Sequence, residues 1–183
     1  MNIWIIIAIP VAIIILGIVL LYNGLIRLRN VVKNAWAQID VQLKRRNDLI
    51  PNLVETVKGY MKHEKTLLEN ITKARAAVMK GGSLDKKAKA SNMLSNTLKS
   101  LFAVTENYPK LQANESFLQL QEEITGTENK ISYARQHYND VVTSFNTKIQ
   151  IFPNNVFANM LSFGKESLFE TNAAERKNVK VKF

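Results

Sequence analysis

Cysteine is absent from the 183 residues, which removes disulfides, thiolate metal ligands and thiol nucleophiles from the chain's chemistry. Histidine is scarce. His63 and His137 are the only two, and Leu67 occupies the position where a His-Glu-x-x-His zinc motif starting at His63 would need its second histidine. A phosphate-cradling P-loop, a dinucleotide-binding glycine fingerprint and a Gly-x-Ser-x-Gly nucleophile elbow are all missing. Glu122 and Glu123 are adjacent, so on a helix they point about 100° apart and cannot act as a facing carboxylate pair. No catalytic residue, cofactor or metal is therefore expected. Charge is also lacking at one end, where the first charged side chain is Arg27.

That uncharged stretch organises the rest. Ile3 to Leu21 is dominated by isoleucine, leucine and valine, and roughly 20 apolar residues in a helix cross a hydrocarbon core about 30 Å thick. Pro10 lies inside it, as membrane helices tolerate. Trp4 and Tyr22 sit near its ends, where amphipathic rings prefer the headgroups. A cleaved signal peptide would have a basic leader and a small-residue cleavage site, and Leu21-Tyr22-Asn23 is a poor one. An interfacial helix would need a polar face. The expectation is an uncleaved anchor over 1–22, a helical domain over 23–163 and a tail over 164–183. Arg27, Arg29 and Lys33 follow the span and nothing basic precedes it, so the positive-inside bias puts the amino terminus outside and the remainder in the cytoplasm.

The net charge of +10 is uneven. Residues 27–46 hold six basic side chains (Arg27, Arg29, Lys33, Lys44, Arg45 and Arg46) against Asp40, a net +5. Residues 62–89 add eight basic against three acidic, another +5, whereas 106–130 carry five glutamates against two lysines, a net −3. A nucleic-acid binder is as basic, but a basic segment beside a span is more simply read as facing anionic headgroups. No nucleic-acid partner is expected. The six basic residues of 27–46 form a candidate lipid-facing patch, although the last three lie some 30–36 Å beyond Tyr22 on a straight helix at ~1.5 Å per residue. They reach lipid only if the helix tilts, or else meet a neighbouring subunit. Glu122 and Glu123 are candidates for self-association with a basic stretch of another copy.

From Val32 to Val78 apolar positions recur in steps of three and four, with Arg46 and Glu64 the polar exceptions, as in a coiled coil or a left-handed bundle. The phase continues across Pro51. One long helix kinked at 48–51 is the reading, and a tight corner there is the alternative. Gly81-Gly82 should end this helix and Ser83 should cap the next, which stops before Tyr108-Pro109. Asn114 or Ser116 starts a last long helix that ends at Phe152-Pro153. Gly126 within it suggests a close helix crossing. Val156 to Phe163 is a further short helical candidate. The fold class is all-α: a transmembrane helix continuing into an antiparallel up-and-down bundle of three to four long helices. Polar residues on or beside the seams, among them Arg46, Asp48, Glu55, Glu64, Asn107, Glu128, Arg135 and Asn139, should pair in the interior and fix helix register. Off-seam apolar residues such as Val31, Val41, Val54, Met61, Met93, Leu118 and Val142 either widen the buried stripe or meet neighbouring subunits.

Long stretches resemble the LemA family: Tyr22 to Asn30, Asn34 to Arg46, Asp48 to Val54, Ala103 to Pro109, Gly126 to Ile131, Ala134 to Asn139 and Phe152-Pro153. The resemblance covers nearly the whole chain. It implies a bacterial protein with one amino-terminal anchor in the inner membrane, a cytoplasmic antiparallel helical bundle and no established catalysis. A relative, MamQ, takes part in forming magnetosome membranes, and family genes neighbour a membrane metalloprotease of the HtpX type. The expectation is a non-catalytic scaffold that self-associates and organises or remodels the membrane, with membrane lipids and other copies as partners. An adaptor for that protease is the alternative.

Overall fold

The computed structural model describes residues 3–169. Every element among them is a helix: α1 (Ile3–Lys58), α2 (Lys65–Met79), α3 (Leu84–Thr105), α4 (Pro109–Gln112), α5 (Glu115–Lys148) and α6 (Asn154–Met160). The chain divides into two compact units, Met1–Ala37 with Gln136–Leu168, and Gln38–Arg135 with Phe169–Phe183. Helices α1 and α5 each contribute to both.

In the first unit the beginning of α1 presents its apolar side chains outward. Trp4 is 79% and Ile13 65% exposed, the distribution of a helix whose solvent is not water. Packing begins at Leu25 and continues with Val32 and Ala35. From α5 come Tyr138, Val142 and Phe145, with Ile149 just past its end, from α6 Ala158, and from just beyond it Phe163, all buried. Trp36 and Tyr138 meet edge to face at 5.7 Å, and Tyr22 and Phe163 do so at 6.3 Å. Beyond α6 the chain continues without regular secondary structure to residue 169. Asn146 clasps it by donating Nδ2–H to the Glu166 carbonyl at 2.8 Å and accepting the Glu166 N–H at 2.9 Å. Tyr138 donates its hydroxyl to the Ser167 carbonyl at 2.9 Å. The remainder of the expected tail, 170–183, lies outside the described residues.

In the second unit the core is built from Ile50, Leu53 and Val57 of α1, Ile71, Ala74 and Val78 of α2, Leu94, Leu98 and Leu101 of α3, and Phe117 and Ile124 of α5. Truncating one such leucine to alanine typically costs about 2–5 kcal/mol. Helix α1 runs through Pro51 without a corner. Pro51 has no N–H to give the Asn47 carbonyl, and Arg75 of α2 supplies the missing donor, its Nε lying 2.9 Å from that oxygen.

The structure corrects three local expectations and decides a fourth. The seam from Val32 to Val78 is two helices, because the chain turns at Gly59 with Tyr60 and Met61 both bonded back to the Val57 carbonyl. The turn buries Met61 and leaves Tyr60 exposed, which moves the seam by one residue. Met61 and Val142 are buried, which settles the two alternatives for them in favour of a widened apolar stripe. Gly126 marks no close crossing, since a Cβ there would meet nothing within 4 Å. Ser83 stands at the cap position of α3 without a capping side-chain bond, whereas Asn114 does cap α5, accepting the Phe117 N–H at 2.9 Å. Gly81, at φ +68°, supplies the left-handed turn after α2.

Candidate functional site

The most concentrated polar chemistry lies inside the second unit, where α1, α3 and α5 meet around Arg46. Its side chain is fully buried. Nη1 donates to Glu128 Oε1 at 2.5 Å and to Ser95 Oγ at 2.9 Å, and Nη2 donates to Ser91 Oγ at 2.8 Å. Ser95 in turn donates to Glu128 Oε2 at 2.9 Å. Arg135 reaches the same hydroxyl from α5, with Nη2 at 2.6 Å from Ser91 Oγ and Nη1 at 2.9 Å from Asn92 Oδ1. Its guanidinium lies 4.5 Å from the centre of the Phe169 ring, a cation–π contact. A slip in helical register would break these bonds together, because they tie Arg46 of α1 to Ser91 and Ser95 of α3 and to Glu128 of α5, and Arg135 of α5 to Ser91 and Asn92 of α3. The network joins helices.

Arg46 is thus a correction to the lipid-facing patch: it occupies the interior seam, where Glu128 supplies its counter-charge. The other five basic residues are exposed. Arg27, Arg29 and Lys33 belong to the first unit, and Lys44 and Arg45 to the second. Arg29 is partly engaged, with Nε 3.8 Å from Glu166 Oε1 and its guanidinium 5.9 Å from the Phe163 ring centre. Glu122 is exposed and Glu123 half-buried, and neither forms an ion pair among the described residues. Among the polar seam residues, Arg46, Glu128 and Arg135 are brought together. Glu64 instead accepts the Tyr108 hydroxyl at 3.3 Å, and partial burial together with that carboxylate raises the Tyr108 pKa above its ordinary value.

Sequence reasoning missed the Arg75–Asn47 bond, the Asp40–Lys87 ion pair at 2.8 Å and the Asn146 clasp. The first had a signal, since a proline within a helix always leaves a carbonyl to be satisfied four residues earlier. The other two depend on which surfaces fold together and had none. Among the described residues no group of three or more histidine, aspartate or glutamate side chains is placed to hold a metal.

The fold defines a class first: an all-helical protein in which, among the described residues, one helix, α1, is long and apolar enough to cross a membrane. The family follows from comparison. The LemA family model matches residues 35–183, and the chain belongs to that family. It is 30% identical over 159 residues to Protein LemA of Metamycoplasma hominis, an alignment covering 86% of this chain and 72% of the relative. It is 22% identical over 179 residues to the magnetosome proteins MamQ 1 and MamQ 2 of Paramagnetospirillum magneticum, covering 84% of this chain and 66% of each relative. None of these names denotes a catalytic activity. The chain is a membrane-associated helical protein of the LemA family.

Proposed function

We propose that the chain is a non-catalytic scaffold, anchored in the bacterial inner membrane by residues 1–22, that self-associates and organises or remodels that membrane. The observation that carries this reading is α1 itself. One helix, Ile3–Lys58, contains the apolar span and also contributes packed residues to both helical units. Arg27, Arg29 and Lys33 follow the span, exposed, and each contributes about 1 kcal/mol beside an anionic surface. With the positive-inside bias they support an outside amino terminus and a cytoplasmic domain. The similarity to MamQ supports a role in membrane organisation.

The test is reconstitution of the full-length chain into fluid vesicles, with and without anionic phosphatidylglycerol, while its clustering is imaged. Clusters in anionic vesicles, weakened by Arg27→Gln with Lys33→Gln, are expected. Uniformly dispersed protein under both conditions overturns the reading. Stoichiometric co-purification of a membrane metalloprotease of the HtpX type, without homo-oligomers, would replace it with the adaptor role.

A further inference from the structure

Helices α1 and α2 are joined by the turn at 59–64, and they leave an open groove of about 570 Å³ along one side. Its floor is apolar, made by Val54, Met61 and Leu68. Its rim carries Lys58, Lys62, Lys65 and Lys73 against the single carboxylate of Glu69, a net +3. None of these four lysines forms an ion pair among the described residues. The groove lies over the core: its floor residues Met61 and Leu68 are largely buried and belong to the same cluster as Leu53, Val57 and Ile71. A cleft between two neighbouring helices is the shape into which a third helix packs, ridge into groove. The rim specifies acidic flanks on that helix.

The chain displays such a face itself. Glu115, Leu118 and Glu122, at i, i+3 and i+7 along the start of α5, share one side of that helix. Leu118 is 48% exposed, and both glutamates are exposed and without an ion pair among the described residues. An apolar centre between carboxylates is the inverse of the groove's apolar floor between ammonium groups. The segment 170–183 is a poorer fit by charge, with Arg176, Lys177, Lys180 and Lys182 against Glu170 and Glu175.

We propose that the lysine-rimmed groove between α1 and α2 of one molecule seats the Glu115–Leu118–Glu122 face of α5 of a second copy. This inference rests on the self-association reading above and names its contact. Groove and α5 face are different surfaces, so the contact is heterologous and runs head to tail, closing into a ring or continuing as an open array. Confinement of the anchored chains to a bilayer raises their local concentration, which lets a weak contact suffice.

The test uses the full-length protein in vesicles and two charge-reversed variants, Lys58→Glu/Lys62→Glu/Lys73→Glu and Glu115→Lys/Glu122→Lys. Every altered side chain is exposed, and matching thermal melts by circular dichroism verify that each variant folds. Each alone should assemble about tenfold more weakly than wild type, and an equal mixture should regain assembly, because each then offers what the other lacks. Since the chain has no native cysteine, Thr72→Cys and Gln119→Cys provide a second readout. Mixing these two proteins should yield a crosslinked dimer that neither yields alone. Wild-type assembly with unaffected variants, or a mixture that fails to recover, overturns this contact and leaves the scaffold reading standing. Weakening by the groove variant alone would show another acidic occupant and also overturns it. A wild-type protein that stays monomeric in the vesicles overturns both.

Discussion

Arg75 donates its Nε–H to the Asn47 carbonyl at 2.9 Å, filling the place that Pro51 leaves empty in α1. A helix interior usually breaks or kinks at proline because one carbonyl is orphaned. Here a cation from the neighbouring helix satisfies it, and the two helices are joined by the same bond. Arg75→Met should therefore cost about 1–2 kcal/mol. In a Pro51→Ala background the restored N–H serves the carbonyl, and the same change should cost distinctly less. Urea unfolding of the four proteins in this double-mutant cycle measures the coupling, and a coupling near zero would mean that Arg75 contributes only its packing.

The Arg46–Glu128 pair makes a sharper demand. Removing one partner of a buried ion pair strands the other charge, at about 3–5 kcal/mol. Glu128 retains 29% side-chain exposure, so Glu128→Ala should fall near the lower end of that range. Arg46→Leu with Glu128→Leu should be less destabilised than Glu128→Ala alone, because no charge is left unpaired. Equal losses in the two variants, read from denaturant midpoints, would contradict this account of the network.

Gly126 lies mid-helix in α5 with open space where a Cβ would stand. Gly126→Ala should stabilise the protein by about 0.5–1 kcal/mol, through the lower backbone entropy of the unfolded chain. A lowered melting temperature would instead indicate the close helix crossing suggested by the sequence.

Burial, and after it the Glu166 carboxylate, raise the Tyr138 pKa above its ordinary value near 10. The neutral phenol is thus favoured in the folded state. Its contribution to stability is fully present below pH ~10, the unfolded value, and is lost as pH rises through the folded value. Tyr138→Phe should lower stability near pH 8 by about 1 kcal/mol, through loss of the bond to Ser167. The same change should flatten the alkaline limb above pH ~10. An unchanged alkaline slope would show that Tyr138 does not carry it.

Periodicity made most of the helices legible. The apolar seam anticipates the buried faces of α1, α3 and α5, including the unusual positions of Arg46 and Thr127, because a helix must aim one stripe inward whatever its partner is. It failed at Gly59. A single residue of slip in a turn leaves a step of three or four almost intact, so Tyr60 and Met61 exchange roles without disturbing the pattern. Arg46 drew two incompatible readings, interior seam and lipid contact, and only the position of Glu128 on another helix decides between them. The lysine-rimmed groove was invisible for the same reason: lysines at 58, 62, 65 and 73 read as a solvated run until a turn places two helices side by side. The Asn146 clasp depends on the return of an irregular segment at Glu166 that no local pattern encodes.

The central claim is self-association of the anchored chain, and light scattering on the full-length protein at micromolar concentration in several mild detergents tests it most directly. The account predicts a mass of many chains that falls toward the single-chain value at high salt, as ion pairs between copies are screened. Charge reversal at Glu115 and Glu122 should lower it in the same way, whereas reversal at the half-buried Glu123 should have the smaller effect. A single-chain mass in every mild detergent, at low salt and with no partner present, would contradict the account.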